Sequence, residues 1–546
     1  MRRERNGPSP FRSRRFSSVR EEGKSMFRRF AFASVVCASV LLASSCGGGG
    51  SSTTTGASDD VDRNASLSMG WILPPPMMDP HATPSIVGAF PYLSLTYDRL
   101  VRVDNSSGTA QFVPMLAESW SYSGDGRTLT FALRQDATFH DGTPVNAEAV
   151  RWSLERARAL PKSTVASELT SIVDVQAPDA NTVVLTLNRP AADLIYRLST
   201  LAGAIVNPAA ANADLSMTEA GSGPYVLDEL KVGDRATFTR FDGYWDDAAQ
   251  NMASIEVVGM VDDQARLNAL RSGQVDAALT KVTQSADVEQ LLRDNRFGVT
   301  DTDRSAWYAM YLNTSNPALA EVNVRRAMNY AIDRDGISEA LLGGKCTPTS
   351  QPLQDGVVGH DEGSDDRYGY DPDRARQLLA ESGRGDGLQL TVLTLAGVRT
   401  SDGVAVAIKE QLAQVGIDLQ LQQRDLGQAA IDWRAGRADG FQYTHPGTAD
   451  AGTTMAESYL GWQYPGPLPA DIEATLQAPL DATMAPDARA QALAAASATA
   501  SENALELFVC AIPTQYAHTS AVVGLDEMSP PTSGGAFDLR YVGVTR

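Results

Sequence analysis

Five histidines, four cysteines and 66 acidic residues supply most of the reactive groups of this 546-residue chain. Their spacing argues against covalent chemistry. His81, His140, His360, His445 and His518 never fall at the intervals a metal site needs. No GxSxG elbow, HExxH helix or CxxC pair occurs, and neither GxGxxG nor GxxxxGK[ST] is present to cradle a nucleotide. No enzyme, metal or cofactor is therefore expected. His140, in Phe139-His140-Asp141-Gly142-Thr143-Pro144, invites a base or metal reading. Beside an Asp-Gly turn and a rigid Thr-Pro corner it reads better as a structural histidine.

The cysteines carry a different message. Arg28-Arg29, an apolar run from Phe30 to Ala43 and small residues before Cys46 make residues 1–45 a secretory signal peptide. Its apolar part is too short for a bilayer span of about 20 residues. Met26 can serve as the start, since residues 1–25 add nothing to the signal. Leu42-Ala43-Ser44-Ser45-Cys46 is similar to a lipobox, with Ala43 where leucine is usual, so Cys46 is the expected lipidation site. Ordinary cleavage nearby with a free cysteine is the alternative. Residues 46–62, rich in Gly, Ser and Thr, read as a flexible tether. One acylated cysteine would then hold the body at the outer face of a membrane. That compartment is oxidising, and only Cys346 and Cys510 remain, which suggests one disulfide. Two unpaired buried cysteines are the alternative.

The formal charge is −20. Residues 1–45 carry ten Lys/Arg and three Asp/Glu, which leaves the rest near −27. Such a surface disfavours nucleic acid, whose phosphates need a basic face. Hydrophobic content of 43% is that of a globular protein, and the length calls for two or more lobes.

The elements that would position any site are legible in part. Leu67–Ile72 reads as a first strand, followed by an irregular Pro-rich loop to His81, and Tyr92–Leu100 reads as a helix. Ser123-Gly124-Asp125-Gly126 is a hairpin turn flanked by alternating residues. Asn146 is a candidate N-cap for a helix with Val150, Leu154 and Ala157 at helical spacing. Asp371-Pro372 is a cap followed by proline at the first helical position. Leu388–Leu395, Val404–Val415 and Ile417–Gln422 read as strand, helix, strand. Ala488 to Asn503 is an alanine-rich helix.

Five segments in order resemble family 5 extracellular solute-binding proteins, the peptide- and nickel-binding receptors of ABC importers. They are Phe139–Arg156, Gly221-Ser222-Gly223-Pro224-Tyr225, Asp242-Gly243-Tyr244-Trp245, Val324–Arg334 and Tyr370–Leu379. The resemblance extends over about residues 65–546. It implies an α/β clamshell like that of periplasmic binding proteins, two lobes with an extra inserted subdomain. Residues 63–102, 216–306 and 513–546 would form lobe I, 103–215 the insert and 307–512 lobe II. Crossovers near 303–309 and 511–517 would be the hinge.

The resemblance also implies partners. A small peptide would bind in the interlobe cleft of a monomer and pass to an ABC permease and ATPase complex. Another solute (sugar, opine or metal chelate) is an alternative, as is a chaperone or signalling lipoprotein without a transporter. Position in the matched pattern makes Met78, Trp307, Tyr308, Tyr443, His445 and Asp450 the candidate ligand contacts. In peptide-binding relatives the loop after strand Gly440–Tyr443 carries an aspartate that pairs with the peptide amino terminus. Here the loop departs from that pattern, and Asp450 is its only carboxylate.

Overall fold

The computed structural model describes residues 61–546 apart from 106–108, 303–305, 397–398 and 533–535. The expected signal peptide, Cys46 and nearly all of the tether lie outside these residues, as does part of the first expected hinge segment.

Three principal sheets organise the chain. The first has seven strands, in the order Phe297–Asp301, Gln515–Thr519, Ala277–Thr280, Ser66–Trp71, Ser254–Gly259, Arg235–Arg240 and Tyr225–Lys231. Ser66–Trp71 pairs in parallel with both its neighbours; the outer pairs are antiparallel. Parallel pairing needs long crossovers, and these bring distant chain segments into one core. Trp71, Phe90, Tyr92, Phe238, Tyr516 and Phe537 pack there. A four-stranded antiparallel sheet, Ala117–Tyr122, Thr128–Leu133, Thr182–Leu187 and Ile172–Gln176, has its own core with helix Ala147–Ala159.

The third sheet has six strands, in the order Thr347–Pro348, Glu506–Ile512, Ala306–Leu312, Gly440–His445, Leu388–Leu395 and Ile417–Arg424. Helices Val322–Tyr330, Arg334–Leu342, Pro372–Glu381 and Arg399–Ala413 contribute to its main core. The seven-stranded sheet is the centre of lobe I and the six-stranded sheet that of lobe II. The chain leaves lobe I after Asp301 and enters lobe II at Ala306; it returns between Ile512 and Gln515. These crossovers touch, with the Thr302 amide donating to the Thr514 carbonyl at 2.8 Å.

Local chemistry explains the element ends. Asn146 accepts from the Ala149 amide at 2.9 Å and starts helix Ala147–Ala159. Asp371 does the same for Arg374 at 2.8 Å, with Pro372 first in its helix. Gly221 and Gly223 let two backbones approach closely: a Cβ on either would run into the carbonyl of Thr96 or Leu95. One helix differs from expectation. It runs Ile86–Thr96, not Tyr92–Leu100, because the Ser85 hydroxyl caps the Gly88 amide at 3.0 Å and Asp98 is drawn into a buried ionic cluster. Cys346 and Cys510 form a disulfide, Cα–Cα 5.4 Å, inside the lobe II core. Among the described residues no helix is long and apolar enough to cross a membrane.

Candidate functional site: a cleft between the lobes

A cavity of about 500 Å³ opens where both lobes meet. This lies within the range of about 300–1,000 Å³ typical of small-ligand sites. Lobe I supplies Asp301 and Thr302 at the first crossover and Asp526 and Met528 near the chain end, and Asn105 and Phe112 come from the hairpin of Val101–Asp104 and Gln111–Pro114, where the insert begins. Lobe II supplies Asp355 and Val358, the loop Thr448–Asp450, and Arg489 and Leu493 of helix Pro486–Glu502.

Charge is unbalanced in this space. Four carboxylates line it against one guanidinium. Arg489 already pairs with Asp450 at 2.6 Å. Asp301 accepts from Gln515 at 2.7 Å, a neutral partner. Asp355 and Asp526 are exposed and have no ion-pair partner among the described residues. Nearby Glu527 has its carboxyl pKa raised, first by burial and then by repulsion from Asp526 and Asp104. The wall is electronegative and suits a ligand carrying a positive group.

Helix Ala451–Tyr459 links this wall to the rest of lobe II. Asp450 caps it, accepting from the Thr453 amide at 2.7 Å. Further along it, Glu457 meets Arg197 of the inserted subdomain at 3.7 Å. Arg197 is also held by Asp193 and Glu168. Further bonds join the lobes: the Ala449 amide to the Pro531 carbonyl at 2.9 Å, and the Ala192 amide to the Leu480 carbonyl at 3.1 Å.

Of the six expected contacts, only Asp450 lines the cavity. Met78 is fully buried in the lobe I core. Trp307 and Tyr308 are adjacent on a strand buried throughout, so they face opposite sides. Tyr308 packs in the lobe II core. Trp307 stacks on His445 with centroids 4.3 Å apart and planes 4° apart. His445 Nε2 lies 2.7 Å from a Glu506 carboxylate oxygen, and its Nδ1 lies 3.2 Å from the Tyr311 hydroxyl. Tyr459 donates to Glu506 as well. Tyr443 shares that sheet face and stacks with Tyr311. None of these aromatics lines the cavity. His140 is structural: Nδ1 lies 2.7 Å from Glu219 and Nε2 2.9 Å from the Gly223 carbonyl. Among the described residues no group of three His, Cys, Asp or Glu could hold a metal ion.

Sequence reasoning missed Asp301, Asp355, Asp526 and Arg489. Only Asp301 carried a signal, at the end of the strand entering the crossover.

The family model for bacterial extracellular solute-binding proteins, family 5, matches residues 111–464, more than half of the chain. The chain belongs to that family. Glutathione-binding protein GsiB of Escherichia coli (strain K12) is 30% identical over 352 residues, 64% of this chain and 66% of that protein. The GsiB of Pectobacterium atrosepticum is 28% identical over 59% of this chain and 63% of its own length. The chain thus aligns with just under two thirds of these relatives. The PBP AgaA in complex with agropinic acid, from A. tumefaciens R10, superposes with a TM-score of 0.73 at 25% identity, covering 88% of this chain and 99% of its own. DppA from Helicobacter pylori in complex with peptide STSA gives 0.74 at 20%, covering 89% and 99%, a likeness of fold. Members of family 5 are extracytoplasmic solute-binding proteins of ABC transporters, and the two-lobed α/β architecture is theirs.

Proposed function

We propose that this family 5 protein is the substrate-binding lipoprotein of an ABC importer. It captures a short peptide in the interlobe cleft and delivers it to a permease and ATPase complex, performing no covalent step. Lipidated Cys46 anchors it at the outer face of the membrane, and it acts as a monomer. Lobe I takes residues 63–102, 216–306 and 513–546, the insert 103–215 and lobe II 307–512. The observation that carries this reading is the cavity lined from both lobes beside two touching crossovers. A ligand there contacts both sides and so favours the closed arrangement, a population shift driven by differential contacts.

Charge narrows the peptide. With Arg489 committed to Asp450, the Asp301, Asp355 and Asp526 carboxylates are left to meet the ligand's amino group. Glutathione, with two carboxylates to one amine, suits such a wall poorly, whatever the names of the relatives. Thermal shift with Lys-Ala-Ala, trialanine, glutathione, a sugar panel and a nickel–histidine chelate tests this. Stabilisation in the order Lys-Ala-Ala, trialanine, glutathione is expected. No shift with any peptide, alongside a clear shift with another solute, would overturn the reading.

A further inference from the structure

Lobe II contains a second cavity, of about 170 Å³, remote from the cleft in its lining. By volume it holds about five waters. Asn323, Arg326 and Tyr330 enter it from one face of helix Val322–Tyr330, at the i, i+3, i+7 spacing that aligns side chains. Arg374 reaches in from helix Pro372–Glu381, Arg367 from the preceding loop, and Glu502 closes it.

Three guanidiniums face one carboxylate in a chain whose net charge is −20. Arg326 serves the fold, since its Nε and Nη2 donate to the Glu502 carbonyl at 3.0 and 2.8 Å, capping helix Pro486–Glu502. The other two are poorly matched. Arg367 Nη2 makes only long contacts, 3.3 Å to Ser364 Oγ and 3.4 Å to Glu502 Oε1. Its Nε is buried and has no hydrogen-bond partner. Arg374 lies 3.8 Å from the Glu381 carboxylate, beyond hydrogen-bonding distance. Buried donors in folded proteins are nearly always paired. A guanidinium's fork matches two oxygens of one planar or tetrahedral anion. Tyr330 and Tyr368, edge to face at 5.2 Å, give the pocket a rigid wall.

We propose that this pocket binds a small oxyanion, a carboxylate or a phosphate, bridging Arg367 and Arg374. The site is independent of the peptide cleft. Isothermal titration with inorganic phosphate and separately with succinate, at constant ionic strength set by chloride, tests it on the full mature chain. Saturable binding of one or both is expected, and which one binds identifies the source. Arg374→Gln changes a half-exposed side chain and should fold normally; it should weaken binding at least tenfold and leave the cleft's response to Lys-Ala-Ala unchanged. Arg367→Gln should behave alike. The proposal is overturned if neither anion binds saturably to the unmodified chain, or if Arg374→Gln binds as tightly as the parent.

Discussion

Aspartate and arginine build opposite things in two regions of this molecule. In lobe I, Asp98, Asp538, Arg99 and Arg540 are all buried. Arg540 meets Asp98 at 2.9 Å, and Arg99 meets Asp538 at 3.2 Å. Asp98 also accepts from Tyr244 and Trp245 at 3.0 Å each. Two anions face two cations, sealed from solvent. The cluster ties the helix end at Thr96, the aromatic turn at Tyr244 and the C-terminal segment into one body. In the cleft four carboxylates face one arginine, and Asp355 and Asp526 remain in water. Balanced and sealed, these residues hold the fold; unbalanced and open, they await a counter-charge.

The largest expected effect lies on the sealed side. Arg540→Leu strands the buried Asp98 carboxylate, while Asp538 keeps Arg99, and should cost about 3–5 kcal/mol in denaturant unfolding. The fraction that folds should keep its affinity for Lys-Ala-Ala. A loss of affinity with stability unchanged would erase the distinction between the regions.

Acid should also attack lobe I first. Burial, then Arg156, holds the His81 imidazole at about 4, below its ordinary 6.5. The folded state therefore binds fewer protons than the unfolded one between these values. Stability from His81 is complete above pH 6.5 and is lost as pH falls toward 4, by about 3 kcal/mol in all. Melting temperature measured across that window should drop, and His81→Gln should flatten the drop.

The cleft should respond the other way. Asp355→Asn with Asp526→Asn should move stability by no more than about 0.5 kcal/mol. Titration with Lys-Ala-Ala should show roughly tenfold weaker binding, about 1.4 kcal/mol. The smallest effect belongs to closure. Glu457 is 42% exposed at its side chain and 3.7 Å from Arg197, so solvent screens the pair. Arg197→Gln should raise the Kd only about twofold, an effect that fades at high salt.

How much of this was readable in the sequence follows from the range of each interaction. Caps and turns are local, so Asn146, Asp371 and the Asp125-Gly126 turn announced their elements. The end of the first helix was not local: Asp98 leaves it to meet Arg540, 442 residues away. The cavity is less local still, since Asp301, Asp355, Arg489 and Asp526 come from four separated segments. Asp450 was expected at the cleft because its loop position carries meaning by resemblance, and it does line the cavity, paired with Arg489. Trp307 and Tyr308 misled as a pair because neighbours on a strand point to opposite faces, and both faces of this one are covered.

Small-angle scattering on the same sample with and without a peptide shown by calorimetry to bind tests the account most directly. If a solute held between the lobes draws them together, the radius of gyration falls on saturation. An unchanged curve with peptide demonstrably bound would contradict it.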